Sequence, residues 1–343
     1  ERQRQFTIEA GDWMSLNEQI ARAREKLGLA ADCRIVSCYE AGRDGFWIHR
    51  SLVDQGIENV VLDSASIEVN RRQRRAKSDK VDVKALLRLL QRYWQGERGM
   101  LSVVRVPTVA EEDQRRLHRE RERLLKERGS HSARIKSLLV AHGVRLQVGG
   151  DFLHQLEVAR GGLGYALGSD LKAELAREYE RYRVVDEQIR GLEAEQKARA
   201  QAGLGDALEQ VNRLMQLRSV GWQSSWVLVM EFFAWRAFRN QRQVAACAGL
   251  TPTPYSSGDS EREQGISKAG NRRVRTLMIE LSWLWLRYQP GSALSQWFQR
   301  RFAGGGKRMR RIGIVALARK LLIALWRYVT DAIIPAGAVL KVV

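Results

Sequence analysis

Three acidic residues, two adjacent serines and two basic strings are the parts of this 343-residue chain that could do chemistry. Glu40 closes the run RIVSCYE, and Asp79 and Asp82 stand three apart in KSDKVDVKALLRLL. Three-residue spacing on a helix puts both carboxyls on one face, about 5–6 Å apart. The positive end of a helix would keep them ionised. Carboxylates converging in this way suit Mg2+, which takes oxygen ligands, water and substrate phosphate. Two such ions can clamp the attacking and leaving oxygens of a phosphoryl transfer. Acids in a first helical turn are also common as dipole partners, so spacing alone leaves both readings open. The residues just before them favour the metal reading. Arg71, Arg72, Arg74, Arg75 and Lys77 form a basic arm beside the acids. A phosphodiester brought between arm and acids would need both, whereas a merely solvated face so dense in like charge would repel itself.

Ser256 and Ser257 lie in AGLTPTPYSSG, a stretch punctuated by Pro252, Pro254 and Gly258 and read here as a loop. A serine in that setting is either a nucleophile or a turn former, and no histidine is close in sequence to activate it. Downstream, SKAGNRRVR sets Lys268, Asn271, Arg272, Arg273 and Arg275 at the start of a helix. Side-chain donors at a helix N-terminus grip phosphate. Val220-Gly221, between two helical stretches, is either a phosphate-binding turn or a plain interhelical turn.

The elements that must position these residues fall into three parts. Residues 34–40 and 59–62 read as strands flanking a helix near 44–55, a strand–helix–strand unit that implies parallel neighbours. The ends of such strands are where open α/β sheets put their sites, which is where Glu40 falls. Ser78 reads as the N-cap of a helix carrying Val81, Ala85, Leu86, Leu89 and Leu90. Residues 108–200 are densely charged. Leu171, Leu175, Tyr182, Val185, Ile189 and Leu192 mark a heptad-like seam, and the glycine-rich 147–169 reverses the chain. The expectation is a long antiparallel helical arm, either a dimerisation element, which the sequence slightly favours, or a solvated hairpin. Residues 201–343 read as helices interrupted at 249–267, and Gly304-Gly305-Gly306 leads into a basic last helix over 308–328. The fold class is therefore α/β plus α.

Composition names the partner class. The chain carries 58 Lys+Arg against 39 Asp+Glu, a net charge of +19. Charge of this size points to a polyanion bound with release of counterions. The cations sit among segments that also hold the 10 Trp, which argues against a simple basic tail on a ribosomal or membrane-surface protein. No run reaches the roughly 18 apolar residues of a membrane span. Cys33, Cys38 and Cys247 are an odd set without zinc-site spacing, which fits small buried hydrophobes in a reducing compartment.

In this order, YEAGRDG at Glu40, KSDKVDVKALLRLL at Asp79 and Asp82, LMQLRSVGW at 214–222 and AACAGLTPTPYSSGDSEREQGISKAGNRRVR at 245–275 resemble the DEDD transposases of bacterial insertion sequences, the bridge-RNA-guided recombinases. The resemblance runs over most of the chain, is weakest through the arm, and is most specific in the last string. It implies a RuvC-like (RNase H-type) domain over 1–105, a helical coiled-coil arm over 106–203 and a C-terminal transposase domain with a serine loop over 204–343. It implies four metal-binding acids, of which Glu40, Asp79 and Asp82 match three, with Mg2+ as the cofactor. The family's first acid lies on a strand upstream of Glu40. The chain opens without Met, and the resemblance places that strand before its first residue. It implies that Ser257 is the nucleophile that forms a phosphoserine link to DNA, with Ser256 its bystander. It implies donor and target DNA, a structured guide RNA that reads sequence while the protein reads backbone, a homo-oligomer (dimer or tetramer), and the bacterial cytoplasm near the nucleoid. Ser219-Val220-Gly221-Trp222 replaces the family's usual proline-glycine turn. Two rivals stand beside this expectation: a RuvC-like nuclease cutting with metal-activated water, and a non-catalytic RNA- or DNA-binding scaffold.

Overall fold

The computed structural model describes residues 4–42, 45–63, 79–98, 102–202, 205–257 and 260–341. The basic arm Arg71, Arg72, Arg74, Arg75 and Lys77, together with the Ser78 cap, lies outside the described residues. Two compact units divide the chain, Glu1–Thr108 and Val109–Val343.

In the first unit, helix α1 (Trp13–Leu27) is capped by the Asp12 carboxylate, which accepts from the Ser15 N–H at 3.0 Å. Strands β1 (Val36–Glu40) and β2 (Glu58–Leu62) are joined by helix α2 (Trp47–Asp54) and pair in parallel, with Val36 opposite Glu58 and Glu40 opposite Leu62. The expected strand–helix–strand unit is therefore present, with boundaries shifted by one to three residues. Apolar side chains drive it: Val61 and Leu62, neighbours that point to opposite faces of β2, are both buried, as are Leu52 and Ile57, so the end of β2 is covered on both faces. Beyond β2 the chain returns alongside it, Val103 bridging Leu62 in antiparallel sense. Helix α3 (Asp79–Trp94) closes the unit and buries Leu90.

The second unit begins with the short helix α4 (Val109–Asp113) and the long helix α5 (Arg116–Ala141). After helix α6 (Phe152–Val158) the chain returns through helix α7 (Ser169–Ala202). Ion pairs fix the sense of the α5–α7 pairing. Arg121 meets Glu193, Arg128 meets Asp186, His131 meets Glu178 and Arg134 meets Glu174, so one index climbs as the other falls. The seam expected from the sequence faces inward: Leu175, Val185 and Ile189 are buried, and Leu171, Tyr182 and Leu192 pack partly buried against the same clusters. The reversal is more ordered than a glycine-rich turn would require. Phe152 and Leu156 of α6 are fully buried beside Ile135, Leu139 and Tyr179.

Helices α8 (Asp206–Met215) and α9 (Trp222–Leu228) follow, then a π-helical turn (Val229–Phe233) and helix α10 (Gln241–Cys247). A hairpin of strands β3 (Pro252–Ser257) and β4 (Ser260–Ile266) leads into α11 (Arg272–Tyr288), α12 (Ala293–Phe302) and α13 (Lys307–Asp331). Here the sequence reading needs correcting. The stretch expected to be a loop is an antiparallel hairpin, in which Ser256 pairs with Glu261 and Ser257 with Ser260. Its prolines are tolerated because a two-stranded ribbon is all edge. Helix α13 is the hub of the main core. Its Leu321, Leu322 and Leu325 pack with Trp226, Phe232 and Trp285. Gly313 lets α12 lie close, since a Cβ there would stand 2.6 Å from the Phe302 ring. Among the described residues no helix is long and apolar enough to cross a membrane.

Candidate functional site

The acids come first. Two contacts fix how α3 lies on β1. The Arg34 guanidinium sits 4.4 Å above the Trp94 ring, and the Cys38 thiol lies 3.7 Å from the Leu86 carbonyl. The four-residue step from Arg34, two residues before β1, to Cys38 within it advances about 13 Å in extended chain, and eight helical residues from Trp94 to Leu86 advance about 12 Å. Strand and helix therefore run antiparallel and in step. Two more strand residues reach Glu40, and four more helical residues reach Asp82, each advancing about 6–7 Å. Glu40 and the first turn of α3, with Asp79 and Asp82, thus arrive at the same end of the unit. Glu40 is exposed where β1 ends, and the next amide, Ala41 N–H, donates to Leu62 O at 2.8 Å. The Tyr39 hydroxyl donates to Gly45 O at 3.0 Å and holds the following loop.

By residue type these donors suit a divalent cation. They are hard carboxylate oxygens, carried on a strand end and the N-terminal turn of a neighbouring helix, and open to solvent at Glu40. That is what an oxygen-seeking cation that keeps part of its water requires.

The serine region is built from the hairpin root upward. Gly249 follows α10 with φ +66°, Lys268 has φ +57° and Gly270 has φ +107°. A Cβ on Gly249 would stand 2.2 Å from Ala269 O, and one on Gly270 would stand 2.3 Å from Cys247 O. Backbone passes backbone here at a distance only glycine allows. Four hydrogen bonds lock the crossing. Lys268 N–H donates to Gly249 O at 3.2 Å, Ser267 N–H to Thr251 O at 2.8 Å and Asn271 N–H to Cys247 O at 2.7 Å. The Arg275 guanidinium donates to Ala248 O at 3.1 Å. Ser256 and Ser257 thus stand at the far end of a ribbon whose root is rigidly clamped.

The expected phosphate-gripping string does divided work. Asn271 is the N-cap of α11: its Oδ1 accepts from Val274 N–H at 3.1 Å, and its Nδ2 donates to Glu231 at 3.0 Å. Arg273 pairs with Glu122 of α5. Lys268 and Arg272 are exposed and, among the described residues, in no ion pair. Val220-Gly221 is an interhelical turn whose Gly221 caps α9.

Sequence reading missed Glu231. It stands in the π-helical turn with only 2% of its surface exposed. Arg119 holds it bidentately at 2.7 and 3.0 Å, and His118 Nε2 lies at 2.8 Å. Burial raises the Glu231 pKa, but the hydrogen bonds from His118, Arg119 and Asn271 outweigh it and hold the carboxyl well below the usual range. The carboxylate therefore ties α5 to the N-cap of α11, directly beside the hairpin root. The signal in the sequence is a lone acid within the apolar run WVLVMEFFAW. Single-turn π-helices recur at functional sites.

Comparison with known proteins gives the family. The sequence profile described as "Transposase IS116/IS110/IS902 family" matches residues 211–297, the span from α8 through the hairpin and α11 to Trp297. The chain is 47% identical over 312 residues to the inferred transposase y4rJ of Sinorhizobium fredii, covering 88% of this chain and 78% of that protein. It is 27% identical over 285 residues to the transposase for insertion sequence element IS1111A of Coxiella burnetii, covering 82% of this chain and 74% of the relative. It is 26% identical over 218 residues to the transposase for insertion sequence element IS1328 of Yersinia enterocolitica, covering 63% and 62%. With nearly half its residues shared along most of a named transposase, and with the profile lying over its hairpin, this chain belongs to the IS116/IS110/IS902 family of insertion-sequence transposases.

Proposed function

We propose that this transposase cuts and rejoins DNA through Ser257, assisted by Mg2+ on Glu40, Asp79, Asp82 and a fourth acid, under the direction of a structured guide RNA and as a homo-oligomer. The observation that carries the metal half is the antiparallel alignment of α3 on β1, which sets Glu40 level with Asp82. The serine half is supported by the clamped root of the β3–β4 hairpin. The first unit would serve as the RuvC-like domain and α5–α7 as the oligomerising arm.

The chemistry balances without a co-reactant. The Ser257 hydroxyl oxygen forms a bond to the scissile phosphorus, the bond from phosphorus to a sugar oxygen breaks, and the serine proton ends on that oxygen. The energy of the phosphodiester stays in the phosphoserine link. A second sugar hydroxyl then attacks the link, joins the new strand and returns the proton to Ser257. When bound, the metal stabilises charge on the phosphate oxygens. Glu40, Asp79 and Asp82 would hold it, and Lys268 and Arg272 would grip flanking phosphates. The acids and the serine belong to different compact units, so catalysis requires bringing a first unit and a second unit together, within one protomer or between two.

The test is a denaturing gel of full-length protein with its RNA, end-labelled DNA and Mg2+. A labelled protein–DNA band that vanishes with Ser257→Ala, and with Asp79→Asn or Asp82→Asn, is the expected result. Ser256→Ala keeps the band. Cleaved DNA with no attached protein would mean hydrolysis by metal-activated water and would remove Ser257 from the mechanism.

A further inference from the structure

Beside the hairpin root the second unit opens into a groove of about 1110 Å³, which shares only Lys268 with the residues assigned to the serine chemistry. One wall is a face of α13 and the other is built from the root of the hairpin, α12 and the segment after α13. Its floor is apolar: Leu250, Leu294, Val315, Ile323 and Pro335 are buried or half-buried there. Its rim is cationic: Lys268, Arg311, Arg319, Lys320 and Arg327 all border it, and no Asp or Glu is among its described lining residues. Among the described residues none of these five cations is in an ion pair. Arg327 only touches Gln241 at 3.4 Å, and Lys320 lies 4.8 Å over the Trp297 ring.

Spacing explains the shape. Arg311, Arg319 and Arg327 recur every eight residues on α13, each step advancing about 12 Å along the axis and about 80° around it, so they follow one ridge that winds along the groove. Val315 and Ile323 fall halfway between them on the same ridge. Charge and apolar surface therefore alternate along about 24 Å of helix. Five cations without a counter-ion call for a polyanion. An apolar floor that includes an aromatic ring calls for something flat and apolar as well. A DNA duplex offers only phosphates to such a groove, because its bases are stacked inside. A single strand offers both, phosphates to the rim and base faces to the floor.

We infer that this groove holds an unpaired strand of DNA, led away from the hairpin that carries Ser256 and Ser257. Membership of a DNA transposase family supplies the choice of DNA, and the shared Pro252, Gly265 and Lys268 make the groove continuous with the hairpin. The inference does not depend on the serine being a nucleophile. A transposase that cuts a duplex must house the strand it frees, and a groove starting at the root of that ribbon is placed to receive it.

The experiment is fluorescence anisotropy of the full chain with a labelled DNA strand of about 12 nucleotides, titrated across salt. Replacing Arg311, Arg319 and Arg327 together by Ala should lower affinity at least tenfold and flatten the salt slope by about two, three lost phosphate contacts at about 0.7 each. The same three positions changed to Lys should restore most of both. Changing Lys136, Arg145 and Arg177 to Ala, equal charge removed from exposed sites elsewhere, should cost less than threefold. A strand carrying 5-iododeoxyuridine should photocrosslink to the peptide containing Trp297. Equal losses from the groove and control triples would overturn the inference. So would a loss confined to duplex or to RNA of the same sequence, or crosslinks that map entirely outside the groove.

Discussion

Glu231 and Glu40 are both single acids attached to apolar segments, and the protein treats them oppositely. Glu231 is sealed in the core of the second unit with Arg119, His118 and Asn271 all donating to it. Glu40 ends a strand in the open, and among the described residues no side chain pairs with it. In the first case the fold supplies its own counter-charge, so the acid serves as a structural rivet. In the second the counter-charge is left to something that arrives. The difference separates an acid that holds the hairpin root in place from one left open to solvent.

The sharpest break in that comparison is Glu231→Ala. Removing one partner of a buried ionic cluster strands the others and costs about 3–5 kcal/mol. His118 is only 4% exposed and cannot recover its partner from solvent. The expected outcome is a matching fall in the urea midpoint of the second unit's transition, with no change in the first. The acid limb carries the same information. Folding holds the Glu231 carboxyl below its ordinary value of 4.5, so its contribution is complete above that pH and is lost as pH falls further. Wild-type protein should therefore lose stability steeply below about pH 4.5, and Glu231→Gln should start lower and fall less. Parallel acid limbs would mean that the carboxylate is not the rivet.

Next in size is Gly270→Ala. The added Cβ meets the Cys247 carbonyl, and the backbone there has φ +107°. Strain of this kind costs about 1–3 kcal/mol. Because the strain sits at the hairpin root, the yield of protein–DNA adduct should fall further than the loss of stability explains, with helical content by circular dichroism unchanged. Smaller still is Glu40→Gln. An exposed acid with no side-chain partner among the described residues should change stability by less than about 0.5 kcal/mol. On the proposed metal reading, Mg2+ should raise the melting temperature of wild-type protein and leave that of Glu40→Gln unchanged. A Glu40→Gln protein that Mg2+ still stabilises fully would take Glu40 out of the metal site.

Much of this was legible in the sequence where local pattern and tertiary role coincide. β1, β2 and α3 follow from β-branched runs and helical spacing, and the α5–α7 seam from its repeat. The hairpin was hidden because Pro252, Pro254 and Gly258 are turn formers, and only the clamp at Gly249 and Gly270 makes a ribbon the better use of them. α6 was hidden because Phe152 and Leu156 are two apolar residues within a glycine-rich stretch, too few to set a period. The Glu231 cluster joins residues 118, 119, 231 and 271, and no window along the chain contains more than two of them. The groove is likewise invisible locally, since its arginines look like any basic helix until α12 and the hairpin supply the opposite wall.

The last test reads the alignment on which the acid site rests. Burial pushes the Cys38 thiol up to about 11, and its sulfur lies against the Leu86 carbonyl of α3. At pH 8 only about one thiol in a thousand would be ionised, against roughly a quarter for a free cysteine. Because the thiolate is the reacting species, Cys38 should alkylate on the order of a hundredfold more slowly than a free thiol. Urea below the first unit's transition should not change that rate. Cys38 labelled at the free-thiol rate in folded protein would mean that α3 leaves β1 readily. Glu40 would then not be held level with Asp82, and the contrast with the rigid Glu231 cluster would become one of mobility as well as of charge.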